Sequence, residues 1–529
     1  MAALARVVRG CGFGLAALGG AVSVLIVLNL ASFGSVVLQR LREPTLAIWI
    51  GLLIALLVGS GRSERWAHWV SAIETRLGAR HAFAALAAVG GLLIVSSSVT
   101  QHLAFNTYSH DLGLYQEALT RAFASPPLET EILGSSFLGE HFSPVLFLLA
   151  PVYQLLPSPL TLVVLNAVFL WIGVFPLRAL ADEVGLTAPV ANLVCLTYLF
   201  FPVVARSAGY PFHHEVLYPV VLIGLYLAFL RDRKVAGVLL VVAAISIKED
   251  AGLYLVGIGV FMGLHHRRWR WGAAVAAAGA IATTAAVFWI IPHFASDSAG
   301  YGFHGRWTPW LDPETLSDAV GDLLAAVVTE DVITVIAATL LIPFRGRWTW
   351  TVVAIPLVLN LTSSTANQAQ LALYYGLPFC ATAAIAAVAS MAAAPIDRQR
   401  GSILAAAAVV INLAALTYPA IPACRGEVLT RLGEIDDGAT VVASACFDPL
   451  LQRVDRRRLA TPQRRPDADF VLVKTERFTW PLTRGQAGEV VAGLDENPAY
   501  RRVLERDGFA FFVRRDESGN QAGAVLAKP

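Results

Sequence analysis

Apolar runs and polar breaks alternate along most of the chain. Runs rich in Leu, Val and Ala fall at residues 12–38, 45–59, 82–104, 160–180, 188–206, 216–230, 235–248, 251–264, 271–291, 331–344, 348–361, 371–394 and 402–422. Most are ~14–25 residues long, the length of a helical membrane span, whereas barrel strands would be ~10 residues with strict alternation. In lipid every backbone polar group must be paired internally, so the pattern predicts an all-α polytopic bundle of about thirteen spans. Val145–Leu156 is apolar but short, and Pro144, Pro151, Pro157 and Pro159 bracket it. It reads as a half-inserted or interfacial helix. The first long polar interruption, Asn106–Pro144, is the stretch that such a scaffold would hold at one membrane face.

The pattern changes near Cys424. Residues 425–529 carry 33 of the 78 charged residues. Short β-like runs appear at Thr440–Ala445, Phe470–Val473 and Phe509–Val513, with a helical pattern at Gly485–Leu494. Strand, strand, helix, strand predicts a small α/β domain. Arg456, Arg457 and Arg458, with Arg464 and Arg465, read there as a solvated face. The expected units are a membrane domain, 1–424, with a first large loop at 105–142, and an α/β domain, 425–529. No repeat of fixed period or inverted pair of broken segments is visible.

Composition agrees. The chain is 56% hydrophobic and only 15% charged, against about a quarter charged for soluble proteins. A net charge of +2, with no basic stripe interleaved with aromatics, gives no nucleic-acid partner. Five cysteines, an odd number, argue against a disulfide framework. Cys11, Cys195 and Cys380 sit in apolar runs as small hydrophobes. Cys424 and Cys446 pair or stay apart according to the compartment of the tail. Arg6 and Arg9 precede a run, Cys11–Leu38, too long for a signal peptide, which predicts an uncleaved first span.

Lys and Arg in short loops set orientation. With the N-terminus in the cytoplasm, Arg62, Arg65, Arg76, Arg80, Arg178, Arg231, Arg233, Lys234, Arg267, Arg268, Arg270, Arg345, Arg347, Arg398 and Arg400 fall inside. Only the loop with Arg40 and Arg42 disagrees. Residues 105–142, 207–215, 292–320, 362–370 and the α/β domain then face outward from a cell membrane.

Four charged stretches on that outer side carry candidate chemistry. In Ser109-His110-Asp111-Leu112-Gly113, a carboxylate at the membrane surface can take a proton from a hydroxyl. Leu114, Ala118 and Phe123 after it suggest an amphipathic helix lying on the bilayer, and the plainer reading makes Asp111 its cap. In Gly139-Glu140-His141-Phe142-Ser143-Pro144, Glu140 beside His141 suits a phosphate or a metal, or is a solvated turn before a helix. Tyr210-Pro211-Phe212-His213-His214-Glu215 is the most metal-like cluster. Adjacent histidines on a helix diverge by about 100°, which favours a lipid- or phosphate-facing role. Lys248-Glu249-Asp250 interrupts some thirty apolar residues, and charges so placed are expensive and usually functional. Lys248 would neutralise a phosphate, held by Glu249 or Asp250; the alternative is a turn whose charges reach water. Among weaker loops, Tyr301–Trp307 brings Arg306 and His304, and Gln368, Gln370, Tyr374 and Tyr375 could face the same cavity.

Together these stretches resemble a domain-of-unknown-function family of predicted bacterial and archaeal multi-pass membrane proteins. The resemblance rests on xDLGxxxQ (Asp111, Leu112, Gly113, Gln116), acidic-HFSP (Glu140–Pro144), FHxE (Phe212, His213, Glu215) and KED (Lys248–Asp250), and covers roughly residues 82–400. Glu140 stands where Asp is commoner, and His214 where Pro is commoner. That family is similar to the GT-C glycosyltransferases. The resemblance implies a GT-C-like fold, a polyprenyl-phosphate sugar donor, and an acidic base in the first outer loop, where Asp111 lies. The expected function is inverting transfer of a sugar to a cell-envelope glycan or lipid acceptor. Asp111 would be the base, with Glu140 and His141 shaping the loop. His110, Gln116, His213, Glu215, Lys248, Glu249, Asp250, Arg306 and Tyr374 would bind substrate, and the tail would bind acceptor or stabilise the outer face. No metal or other cofactor is assigned, a divalent cation being left open. Two other classes stand beside this one: a lipid-linked substrate flippase and a non-catalytic envelope scaffold.

Overall fold

The computed structural model describes residues 75–515 apart from 80, 108–109, 132, 296–301, 340–341, 372, 394–418, 420, 453, 455, 461–466 and 477–481. The expected spans at 12–38 and 45–59, and most of 402–422, lie outside the described residues. So do Cys11, Ser109, Tyr301, Arg464, Arg465, and the arginines at 6, 9, 40, 42, 62, 65, 80, 398 and 400.

A helix follows each remaining apolar run. In chain order they include α1 (Ala82–Leu103), α2 (His110–Thr120), α3 (Val145–Leu155), α4 (Pro159–Ile172), α5 (Val174–Glu183), α6 (Ala188–Leu199), α7 (Pro202–Ala208), α8 (Tyr218–Leu230), α9 (Lys234–Ile247), α10 (Ala251–His266) and α11 (Trp269–Ala285). Then come α12 (Leu316–Val327), α13 (Glu330–Ala338), α14 (Trp350–Leu361) and α15 (Leu377–Ala393). Among the described residues, four segments are long and apolar enough to cross a membrane: Ala82–Leu103, Pro159–Glu183, Trp269–Phe294 and Ala366–Ala393. The α6–α7 pair, bent by 46°, makes a fifth if it is one span. Val145–Leu155, His214–Leu230, Lys234–Ile247, Ala251–His266 and Trp350–Leu361 are shorter apolar helices. The expected count of about thirteen is therefore not reached among these residues. The reason is visible in α9: it stops where Lys248 turns extended, so that 248–250 can deliver polar side chains inward. Packing depends on small residues as well. Gly252 and Gly259 of α10 face Gly279 and Gly272 of α11 so closely that a Cβ on any of them would meet backbone or a side chain of the other helix.

Past residue 424, α16 (Arg425–Gly433) leads into a five-stranded sheet of order β4-β3-β5-β7-β6. The strands are β3 (Thr440–Ala443), β4 (Arg456–Leu459), β5 (Phe470–Lys474), β6 (Tyr500–Arg506) and β7 (Phe509–Arg514); β1 and β2 form a two-residue hairpin, Glu129–Thr130 with Ser135–Ser136, in the first loop. β3 runs parallel to both β4 and β5, while β7 is antiparallel to β5 and β6. Helix α17 (Arg484–Asp495), opened by a Thr483–Gln486 capping box, covers one face. Of the two strands with no sequence counterpart, β4 and β6 are the edges, and both are arginine-rich. Charged edges resist pairing with other chains, and the charge hid their β pattern.

Two expectations are corrected, and one open alternative is decided. α2 does not lie on the bilayer: Leu112 to Leu119 are all buried between α3 and the C-terminal sheet. Arg457 is not on a solvated face. It inserts between the domains, pairing with Glu117 of α2 and, at 3.0 Å, with Asp448. Cys424 and Cys446 are buried free thiols, not a disulfide. Gln116 is buried, and its Nε2 donates to Tyr153 of α3 at 3.1 Å.

One ring seats the C-terminal unit on the end of α1, beside the Arg457 contacts to α2. Phe105 follows α1 in the left-handed region, φ 59°, where side chains are disfavoured. That conformation drives the ring into the core of the sheet domain, 5.2 Å from Phe509, with Arg425 stacked 4.9 Å above it. Replacing Phe105 with Ala should cost about 3–5 kcal/mol of docking. Limited proteolysis should then release a fragment carrying the sheet, while the helical part keeps its circular dichroism. An unchanged digestion pattern would show that Phe105 does not hold the two together.

Candidate functional site

The four charged stretches are far apart in sequence and converge at one end of the helices. The first loop brings Asp111 in the first turn of α2. The 210–215 segment, between α7 and α8, brings His213. Its Nδ1–H donates to the Pro211 carbonyl at 3.1 Å, so Nε2 is the atom facing Asp111, 3.6 Å from Oδ2. A histidine fixed in this way can share or take a proton at one nitrogen only. Asp111 is half-exposed, whereas His213 is buried behind it. Burial raises the Asp111 carboxyl, but the His213 imidazole, with His110, outweighs it and holds the group below its ordinary value. His110, which also flanks Glu140, is itself lowered by burial. Asp111 is therefore no mere helix cap: its oxygen points at a histidine from another segment.

Behind this surface lies a buried layer of charge. Lys248 Nζ donates to Glu215 Oε1 at 2.7 Å. Glu249 receives His141 Nδ1 at 2.9 Å on one oxygen and the Phe142 amide at 3.0 Å on the other. Asp250 accepts from Tyr218 and, at 2.9 Å, from Tyr254. These pairings correct the expected role of the KED stretch. Lys248 is not held by Glu249 or Asp250, and its charge is matched by Glu215 rather than open to a phosphate. Lys248, Glu249 and Glu215 are buried away from water, and Asp250 is half-exposed. The stretch works as a clamp that fixes the 140–142 loop and the 213–215 turn.

His214 points away from its neighbour. Its ring bonds Tyr115 at 2.9 Å and Ser143 at 3.2 Å. The two histidines thus face different partners, and among the described residues no three His, Cys, Asp or Glu side chains gather as a metal site.

Aromatic contacts close the arrangement into a ring. Tyr374 stacks on His213 at 3.7 Å and touches Tyr375 at 4.3 Å. Arg306 lies 5.7 Å over Tyr375 and 4.5 Å over Phe303, with Nη1 donating to Gln368 at 2.8 Å. Phe303 stacks on His141 at 4.5 Å, and His141 returns to Glu249. Asp111, Glu140, His141, Phe303, Arg306 and Tyr374 are half-exposed. Among the described residues Arg306 makes no ion pair, so it is the cation of the ring that can meet an anion. Of the predicted residues, Asp111, His141, His213, Arg306 and Tyr374 share this ring. Glu215, Lys248, Glu249 and Asp250 support it from beneath; Glu140 sits beside it, and Gln116 belongs to helix packing. Tyr115 and Ser143 were not singled out. Tyr115 stands one turn after Asp111 on the same helix face, a spacing that could have revealed it.

Comparison with known proteins agrees with this architecture. A model of the family described as "Predicted membrane protein (DUF2079)" matches residues 101–425. Among solved structures, ArnT from Cupriavidus metallidurans, crystallised bound to undecaprenyl phosphate, is similar at a TM-score of 0.51 and 12% identity. The match covers 85% of this chain and 100% of ArnT. At that identity the likeness is one of fold alone. No curated protein matches the sequence.

A carboxyl held below its ordinary value contributes stability above its unfolded pKa, about 3.9, and loses it as pH falls through the lower folded value. The melting-temperature gap between the protein and Asp111→Asn in nanodiscs should therefore not shrink from pH 7 to pH 5. It should close only below about pH 4. A gap already closing between pH 7 and 5 would mean that His213 does not hold this carboxyl ionised.

Proposed function

The chain belongs to the DUF2079 family of predicted membrane proteins, and from that premise we propose that it is a membrane glycosyltransferase. It moves a sugar from a polyprenyl-phosphate donor to a cell-envelope glycan or lipid acceptor at the outer face. The observation that carries the reading is the half-exposed Asp111 with His213 fixed behind it at 3.6 Å, in one ring with Arg306, which makes no ion pair among the described residues. The likeness in fold to a protein seen with undecaprenyl phosphate supports a lipid-phosphate donor.

The step is a single displacement. The acceptor hydroxyl oxygen attacks the sugar C1 and forms the new glycosidic bond. Its proton passes to Asp111, whose carboxylate is stabilised by His213. The bond from C1 to the phosphate oxygen breaks, and both electrons leave with the polyprenyl phosphate. Arg306, planar and already oriented by Gln368, Phe303 and Tyr375, receives that phosphate. Glu140 and His141 shape the loop between base and phosphate. Supply of a proton acceptor on one side and a fixed cation on the other needs no metal, although a divalent cation is compatible with the half-exposed carboxylates.

Orientation follows from charge. Arg231, Arg233 and Lys234 lie at the start of α9, and Arg267, Arg268 and Arg270 beyond the end of α10. They sit at the end of the helices opposite Lys248. Short basic loops favour the cytoplasm, which leaves the ring facing outward.

Transfer in nanodiscs tests the proposal, with a panel of polyprenyl-phosphate sugars and envelope acceptors. Asp111→Asn should lower turnover by about 10²–10⁴-fold, the usual contribution of a general base. Arg306→Ala should raise the donor KM. Wild-type rates in both variants would refute these roles. Donor binding without turnover in the unmodified protein would point instead to a flippase or a scaffold.

A further inference from the structure

A second cavity lies beside the ring, between α2 and the C-terminal sheet. It measures about 460 Å³ and is lined by His110, Glu131, Ser444, Asp448, Arg458 and Leu459 among others. It opens at the carboxyl ends of β3 and β4. From β3 the chain passes to β4 on one side and then returns to β5 on the other. Connections that part in this way leave a crevice at the strand ends, where open α/β sheets bind ligands. His110 forms part of the wall, and its neighbour in sequence is Asp111.

The lining selects for one chemistry. Two carboxylates, Glu131 and Asp448, stand with two guanidiniums, Arg457 and the exposed Arg458, the His110 imidazole and the apolar Leu459. Asp448 is 7% exposed, yet its Oδ2 has no hydrogen-bond partner among the described residues. That oxygen is packed against Gly113 of α2, while Oδ1 holds Arg457 in the cleft wall at 3.0 Å. With two arginines balancing two carboxylates, the lining has no net positive charge to hold a bare phosphate, and a hydrocarbon tail would strip water from all four. A hydroxyl-rich group donates to carboxylates, accepts from guanidinium, and lays its C–H face on leucine.

We propose that this cleft binds a saccharide-type, hydroxyl-rich ligand, and that it is the acceptor subsite of the ring. The acceptor role rests on the glycosyltransferase reading; the saccharide binding does not. A sugar seated there would present a hydroxyl past His110 toward Asp111. Arg457, in the wall of the cleft, is joined to Glu117 and Asp448, so occupancy and the setting of α2 share one network.

Saturation-transfer NMR on the full chain in nanodiscs, with methyl α-mannoside, methyl β-galactoside, maltotriose and inorganic phosphate as probes, reads binding directly. At least one glycoside should bind and phosphate should not. Leu459→Trp, which fills the cleft without removing a charge, and Arg458→Gln, at an exposed position, should each weaken glycoside binding at least tenfold, with the melting temperature unchanged. Asp111→Asn should leave it intact. Glycoside binding lost in the cleft variants, in a protein with no transferase activity, would keep the saccharide site and remove the acceptor role. Active transfer with the same acceptor KM in both variants would overturn the subsite. Saturation by phosphate alone, or no glycoside binding, would overturn the proposal altogether.

Discussion

A carboxylate taken out of water must find a partner, and this requirement organises the molecule. Glu215 and Glu249 lie where three apolar helices end, and an unpaired charge there would cost several kcal/mol. Glu215 takes Lys248, and Glu249 takes His141 together with a backbone amide. Each bond joins segments distant in sequence, the 213–215 turn to the 248–250 turn and the latter to the 140–142 loop. His213 and His141 stand where they do because their neighbours have been paired. Replacing either carboxylate with an apolar group would release the loops that carry the ring, even though neither carboxylate lines it.

α2 is held from both sides. An isolated helix of its length is marginal in water. Tyr115 and Gln116 bind it to the bundle through His214 and Tyr153. On the opposite face Glu117 meets Arg457, and Gly113 lies so close to Asp448 that a Cβ there would strike the carboxylate. The glycine of the DLG stretch is thus a docking contact. Asp111 is aimed by a helix whose orientation both domains set, so a change in the seating of the sheet is felt at the carboxylate.

The helical class, nearly every apolar helix in the described residues and the convergence of the four charged stretches were legible in the sequence, because hydropathy and cost of burial act locally. Partnerships were not. Lys248 has two acids beside it in sequence and bonds neither, because the chain turns extended there and its side chain reaches an acid 33 residues upstream. Arg457 sits in a run of three arginines that reads as surface. Only the alternation of a strand, with Arg456 and Arg458 out and Arg457 in, separates it from its neighbours. Gln116, expected to meet substrate, was indistinguishable from a packing residue until the position of α3 was known.

The distribution of charge along the bundle also bears on which chemistry the fold serves. Between Lys234 and Lys248, α9 carries no titratable group over about 20 Å of rise. α8 offers only tyrosines, and α10 has no charge before His265 and His266. A substrate or ion crossing the bilayer would need polar side chains spread through its depth. Along α8, α9 and α10 charged side chains stand only at the ends, and one end faces a ring whose carboxylate and cation lie on separate segments. That arrangement is what the proposed transfer calls for: a lipid-borne group would come to one face, and the apolar length beneath would hold the donor's hydrocarbon.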